Sequence, residues 1–424
     1  MNESNRVAAE ARPMHGSERG MPIDPPEPNL TPEAMVARAR ALVPRLRERA
    51  AAADRLRTLP PETYKDFLDA GFYRILQPRR FGGYEFDLRT FCDVMIEITR
   101  GCGSSGWVLC LTAAHVFHMA GVSEEGQIEM YGDDGDFRSP MTFAPQGTAT
   151  PVDGGYRING RWNYNSGGDY ANWLGVSAVV PGDTAGGPPR DTILAYLRQE
   201  ECEVFDDWFV MGLRGTGSKQ AIIEDVFVPE RRVLSQLPWF AGRAPGYGVH
   251  ENPFYRTSPF DVFLAELACI CVGLAESAID AFYERAMTKV NSYPPFTPVK
   301  NERSVQRLIG LARAKTDAAQ AVLQRIIDDQ KRRMDQIVQS GPVEVTEEET
   351  RRTFMLAHQT LHLAREAVEP LFDASGTSAA LTGQPMERIC RDLNMVRTHY
   401  MMNGDRTAEN WGATFFGQEA YSLF

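Results

Sequence analysis

The hydrophobic period changes twice along the chain, and the switch points divide it into three blocks. Up to about residue 30 no apolar period exists. Pro13, Pro22, Pro25, Pro26 and Pro28 punctuate a polar stretch, which predicts a disordered tail over 1–30. Thr31-Pro32-Glu33 then reads as a helix start, with Thr as N-cap and Pro at the first helical position, and Ala-, Arg- and Leu-rich sequence carries the helix to about Leu56. Pro60-Pro61-Glu62 opens a second short helix ending near Gly71, and 88–131 holds two or three more, broken near Gly101-Cys102-Gly103 and near Gly121. From about Arg138 to Val233 the pattern shortens. Asp153-Gly154-Gly155 predicts a hairpin, because Gly tolerates positive φ there. Residues 156–159 and 161–164 alternate as half-exposed strands do, 182–189 reads as a surface loop, and 222–229 reads as a last strand stopped by proline. After about Ser258 a 3.6-residue period returns, predicting long helices over about 258–290, 300–338 and 346–373 and a shorter one near 385–402. The first is apolar nearly all round, which predicts burial, and the second is charged and amphipathic. The expected plan is α+β: a helical domain over 31–137, a β domain over 138–234 and a second helical domain over 235–424. A ligand cleft is expected where the three meet.

Charge and cysteine usage narrow the function classes. The formal net charge of −11 argues against nucleic-acid binding, which needs a clustered Lys/Arg surface. The seven cysteines form no CxxC pair and sit mostly in apolar stretches, as reduced core residues of a cytoplasmic protein do. No apolar run approaches the roughly 18 residues of a membrane span, and the N-terminus has no secretory h-region.

Four segments carry candidate chemistry. Gly103-Ser104-Ser105-Gly106-Trp107 places small residues at a helix start, where a ligand or another backbone can approach closely. Downstream, His115 and His118 are three apart and share a helical face. They are either hydrogen-bonded core histidines or site residues. No third His or carboxylate stands at ligand spacing, so no metal is expected. Met141-Thr142-Phe143-Ala144-Pro145-Gln146-Gly147 and Trp162-Asn163-Tyr164-Asn165-Ser166-Gly167-Gly168 each set polar groups and backbone donors beside an aromatic, the combination that a flat, polar-edged ring requires. Singly, either segment is equally a turn at a strand end. The fourth, Trp208 followed by Gly212-Leu213-Arg214-Gly215-Thr216-Gly217-Ser218, is neither a Walker loop nor a dinucleotide fingerprint, because no Gly-Lys-Ser/Thr follows and its surroundings are β. His358 and His362 have metal-pair spacing but no companion Glu, and read as ordinary helix residues.

The order of these segments resembles the acyl-CoA dehydrogenase fold over about 35–415. Gly154-Gly155-Tyr156-Arg157-Ile158-Asn159-Gly160, and Gly212 to Ser218 before a strand ending Glu224-Asp225-Val226-Phe227-Val228-Pro229, are similar to its middle domain. Within that fold the chain resembles the reduced-flavin-dependent hydroxylases, on Gly103 to Trp107, His115, Phe143-Ala144-Pro145, Ser166-Gly167 and Arg391-Asp392 with His399. A His stands where dehydrogenases usually have Tyr-Glu-Gly-Thr. The resemblance implies an N-terminal helical domain, a middle β-barrel or sandwich and a C-terminal helical bundle. It further implies the oxygenase component of a two-component monooxygenase, which uses reduced FMN or FAD and O2 to form a C4a-hydroperoxyflavin and hydroxylate a phenolic or other aromatic molecule. Implied site residues are Trp107, Phe143, Ala144, Gln146, Trp162, Ser166 and Gly167 around the flavin, with Ser166 near N5. His399 is implied as a proton source and His115 as the partner of a phenolic oxygen. A separate NAD(P)H:flavin reductase and a homotetramer are implied partners. The rivals are an N- or S-oxygenase on the same fold, a dehydrogenase or oxidase using Glu266 or Glu276 as base, and a helical scaffold or flavin-binding protein that has lost its chemistry.

Overall fold

The helix start predicted from Thr31 as N-cap is realised in the computed structural model, which describes residues 22–184 and 187–418. Thr31 Oγ1 accepts from the Ala34 amide at 3.2 Å ahead of α1, Pro32–Leu56. Helix α2 is Pro61–Asp69, and α3, Leu88–Gly101, starts where Asp87 accepts from the Thr90 amide at 2.8 Å. Helix α4, Gly103–Met119, follows after Cys102 alone, and α5 is Glu124–Tyr131. The break lets α4 lie close against α3: a Cβ on Gly106 would fall 2.0 Å from Thr99 Oγ1. Residues 1–21 of the expected tail lie outside the described residues. Residues 22–30 correct that expectation. The Ile23 amide donates to Arg80 O at 2.9 Å, and the Arg38 guanidinium donates to both Glu27 carboxylate oxygens at 2.6 and 2.7 Å. The segment docks through backbone and charge, which leaves no apolar period to read.

The β block is one mixed sheet of β1 (Met141–Val152), β2 (Gly155–Asn165), β3 (Trp173–Val180), β4 (Asp191–Arg198), β5 (Glu203–Phe205), β6 (Lys219–Pro229) and β7 (Val233–Ser235), in the order β5-β6-β2-β1-β3-β4-β7. The strand predicted as last is therefore followed by a short one. One apolar cluster gathers Ala149, Ile158, Trp162, Val176, Ala195 and Ile223 from five strands, so the sheet rolls around its own core while β5 and β7 remain edges. Between Thr142 and Gly147 the β1–β3 register shifts, and the β1–β2 ladder begins only at Gly147. Residues 143–146 thus lie outside both ladders.

The C-terminal block comprises α6 (Gln236–Phe240), α7 (Pro259–Thr288), α8 (Arg303–Ser340), α9 (Glu347–Ser375), α10 (Pro385–Val396) and α11 (Gly404–Phe415). By length and composition α7 could cross a membrane, contrary to the sequence expectation. It is instead the core helix of the bundle, packed against α3, α4, α8, α9 and α10. The helix expected near 385–402 stops at Val396, and His399 then caps a 3-10 turn, Tyr400–Met402.

The three blocks meet at a polar clamp. Buried Asp392 on α10 accepts from the Leu213 amide at 2.6 Å, and Arg391 donates to Met211 O at 2.6 Å and to Asp54 of α1 at 3.0 Å. Gly212 passes so close to α10 that a Cβ would sit 2.1 Å from Arg391 O. Gly212→Ala is therefore expected to lower unfolding free energy by about 1–3 kcal/mol, read by urea titration. An unchanged midpoint contradicts this close approach.

Candidate active site

A cavity of about 530 Å³ opens where α4, the ends of β1 and β2, the 208–218 loop, α7 and the turn after α10 converge. Its wall is mostly apolar, from Trp107, Leu111, Met141, Phe143, Phe263 and Met401 among others, with a few fixed polar groups.

Ser166 follows β2 at a turn that Gly167 makes with φ 80°, and the Gly167 amide donates to Thr216 O at 2.9 Å. The Trp107 indole N–H donates to Ser166 Oγ at 3.0 Å. Ser166 Oγ lies 2.7 Å from Ser218 Oγ, which lies 2.6 Å from Thr216 Oγ1. Thr216 Oγ1 in turn is 2.9 Å from the Leu213 carbonyl oxygen. A carbonyl only accepts and each hydroxyl carries one proton, so the three bonds can be satisfied in one way. Thr216 donates to Leu213 O, Ser218 to Thr216, and Ser166 to Ser218. With Trp107 on one lone pair and its own proton given to Ser218, Ser166, which lines the cavity, can serve a cavity ligand only as an acceptor.

The two cavity imidazoles have opposite polarity. The His115 Nδ1–H donates to Ser139 O at 2.6 Å, leaving Nε2 as an acceptor. Burial lowers the His115 pKa from 6.5 to about 4, although the Ser139 carbonyl opposes the shift. His399 is partly accessible, and its Nδ1 accepts from the Met401 amide at 3.4 Å, so its proton resides on Nε2. Its ring stands edge-on to Trp107 at 5.8 Å, and its enclosure likewise lowers its pKa to about 4. One neutral imidazole accepts, and the other donates.

Ala144, Pro145 and the Gln146 side chain line the cavity beside the unladdered 143–146 backbone, and Gln146 Oε1 accepts from the Asn163 amide at 2.7 Å. Gly167 shapes the turn without a side chain to offer. Trp162 does not line the cavity: it lies fully buried inside the rolled sheet, its indole donating to Ser177 O at 2.6 Å. Strand alternation puts Ile158 and Trp162 inward, while Asn163 and Tyr164 reach the cavity at the strand end. Thr216, Ser218 and Leu213 lie within the glycine-rich segment, but nothing in its spacing marks them as a proton wire. Glu276 is bound to Arg313 at 2.6 Å, whereas Glu266 lines the cavity. His358 on α9 donates from Nδ1 to Met402 O at 3.1 Å, and His362 sits beside Glu366. Among the described residues no group of three His, Cys, Asp or Glu is placed to hold a metal.

A planar ring with polar edges fits these walls. Trp107 and Phe143 supply apolar contact, 143–146 offers backbone groups outside both ladders, and Ser166 supplies one oriented acceptor.

The chain matches the family profiles "Acyl-CoA dehydrogenase, N-terminal domain" over residues 31–131 and "Acyl-CoA dehydrogenase, C-terminal domain" over 265–404. It is 33% identical over 377 residues to a flavin-dependent monooxygenase, oxygenase subunit HsaA, of Rhodococcus jostii (strain RHA1), covering 89% of this chain and 97% of that one. It is 28% identical to the oxygenase component of an FADH2-dependent resorcinol hydroxylase of Rhizobium sp. (strain MTP-10005), over 91% of this chain and 94% of the other. The crystal structure of 3-HSA hydroxylase from Rhodococcus sp. RHA1 superposes with a TM-score of 0.83 at 31% identity, covering 92% of this chain and 98% of that one.

The His115 environment has a measurable consequence. A base whose folded pKa lies near 4 against 6.5 unfolded binds fewer protons when folded, so its contribution to stability is lost as pH falls through that window. Comparing His115→Gln with the native chain cancels other titrating groups. Between about pH 7.5 and pH 5 the native protein should lose about 2 kcal/mol relative to the variant. A pH-independent gap in urea unfolding contradicts the buried neutral imidazole.

Proposed function

Because the chain belongs to the flavin-dependent monooxygenase oxygenase subunits built on the acyl-CoA dehydrogenase fold, we propose that it is the oxygenase component of a two-component system that hydroxylates a phenolic or other aromatic small molecule. The observation that carries the reading is the polarity of the Ser166 chain. Reduced flavin bears a proton on N5 and oxidised flavin does not, and an acceptor at Ser166 suits the reduced ring. Trp107, the 143–146 backbone, Ser166 and the Gly167 turn are the residues that would hold it.

The bound flavin supplies two electrons for the activation of O2, so that one oxygen atom enters the aromatic ring and the other leaves as water. His115 Nε2 accepts the hydrogen bond of the phenolic O–H, which positions the ring and raises electron density at the carbon to be oxidised. His399 Nε2–H donates a hydrogen bond to the oxygen that departs as water. The apolar wall excludes bulk water that would divert the reaction to H2O2. FMN or FAD fits this reading, delivered in reduced form by a separate NAD(P)H:flavin reductase. A cytoplasmic homotetramer completes it, and light scattering on the purified protein tests that assembly.

With a generic flavin reductase, NADH and ¹⁸O2, a panel of phenols should yield a hydroxylated product carrying one ¹⁸O. Flavin oxidation that yields only H2O2 with every phenol contradicts the reading. Ser166→Ala should lower product per O2 consumed by about fivefold, as loss of one hydrogen bond predicts, and an unchanged ratio removes its assigned role. His115→Ala should cut product formation about a hundredfold while O2 is still consumed. Equal loss of both would mark His115 as structural.

A further inference from the structure

The proposed chemistry leaves one cavity carboxyl unused. Glu266 projects from α7 into the cavity wall at 1% exposure, and its Oε1 has no hydrogen-bond partner. His118 Nε2 lies 3.8 Å from Oε1, beyond hydrogen-bond reach. His118 cannot serve as a ready counter-ion. Its ring is stacked on Phe263 at 4.0 Å, met edge-on by Phe117, Phe143 and Trp239, and neither ring nitrogen has a partner. Burial holds the Glu266 carboxyl well above the usual carboxylate range. Burial together with neighbouring His115 holds the His118 imidazole well below its own. Burial thus disfavours the charge on both groups, and a protonated carboxyl can donate as well as accept.

A buried polar atom without a partner costs about 1–3 kcal/mol, and a ligand that supplies the missing bond recovers that cost. Among the described residues no Lys or Arg lines the cavity. Besides Glu266, its polar side chains are hydroxyls, amides, indoles and imidazoles. A carboxylate entering this space would find no cation and would lie near an acidic group.

Resting on the hydroxylase reading, we propose that Glu266 is the specificity-determining residue: it hydrogen-bonds an uncharged polar substituent of the aromatic substrate, while the cavity rejects aromatic carboxylates. His115 and Glu266 then hold two separate polar groups of one ring system, the first the phenol and the second a hydroxyl or similar neutral group.

The test uses three matched phenols with the full-length protein and reduced FMN under anaerobic conditions: 4-ethylphenol, 4-(2-hydroxyethyl)phenol and 4-hydroxyphenylacetate. Calorimetry reads binding and product analysis under O2 reads turnover. The native protein should bind the hydroxyethyl compound about tenfold more tightly than the ethyl compound, with the carboxylate weakest. Glu266→Leu should erase that tenfold preference, and Glu266→Gln, which keeps neutral donors and acceptors, should retain most of it. Because the carboxyl has no internal partner, Glu266→Leu should unfold at a urea concentration no lower than the native chain, which a purely structural role would not allow. Tight binding of the carboxylate by the native protein, or an unchanged preference in Glu266→Leu, overturns the assignment. Selective binding without any oxygenated product would instead overturn the hydroxylase reading and leave the role of Glu266 standing.

Discussion

A hydroxyl group has one proton, and that limit organises the cavity. The Leu213 carbonyl at one end of the wire and the Trp107 indole at the other fix every proton between them. Ser166 is left with a single orientation, which presents an acceptor to whatever occupies the cavity. Each link lies between 2.6 and 3.0 Å, and all four side chains are buried. A site held this way selects its ligand by hydrogen-bond polarity before any chemistry occurs.

The wire exists only because three blocks meet. Trp107 comes from the first helical block, Ser166 from the end of β2, and Thr216 and Ser218 from the loop before β6. The third block contributes the clamp, since Asp392 on α10 holds the Leu213 amide while the Leu213 carbonyl ends the wire. Burial raises the Asp392 pKa to about 7, against the pull of that amide and of Arg391, so the clamp is itself a stressed polar group. The same loop residue thus ties the architecture to the orientation of the site. His399 owes its place to the termination of α10, because a helix continued past Val396 would carry it away from Trp107.

Much of this was legible before the structure. Thr31-Pro32, Asp153-Gly154 and the apolar run after Ser258 encode local rules of capping, turn conformation and burial, and each formed where its rule placed it. The family resemblance implies His115, Ser166 and His399 as one site, and all three line one cavity. Trp162 was misplaced because its neighbours in sequence reach the cavity while strand parity turns it inward, and parity is read securely only once the register is known. The roles of Thr216 and Ser218 were hidden because a proton wire is a property of distances across three segments. Glu266 could be named only as a dehydrogenase base, since nothing along α7 tells that its carboxyl lacks a partner.

In the proposed site Ser166 offers an acceptor to N5 of reduced flavin. Nitrogen NMR of FMN labelled with ¹⁵N at N5, reduced and bound anaerobically to the native chain and to a Ser166→Ala variant, addresses that atom directly. The account predicts that the N5 resonance and its proton coupling report a hydrogen-bonded N–H in the native complex, and that the shift moves on removal of the hydroxyl. Indistinguishable N5 signals in two fully bound complexes would contradict it.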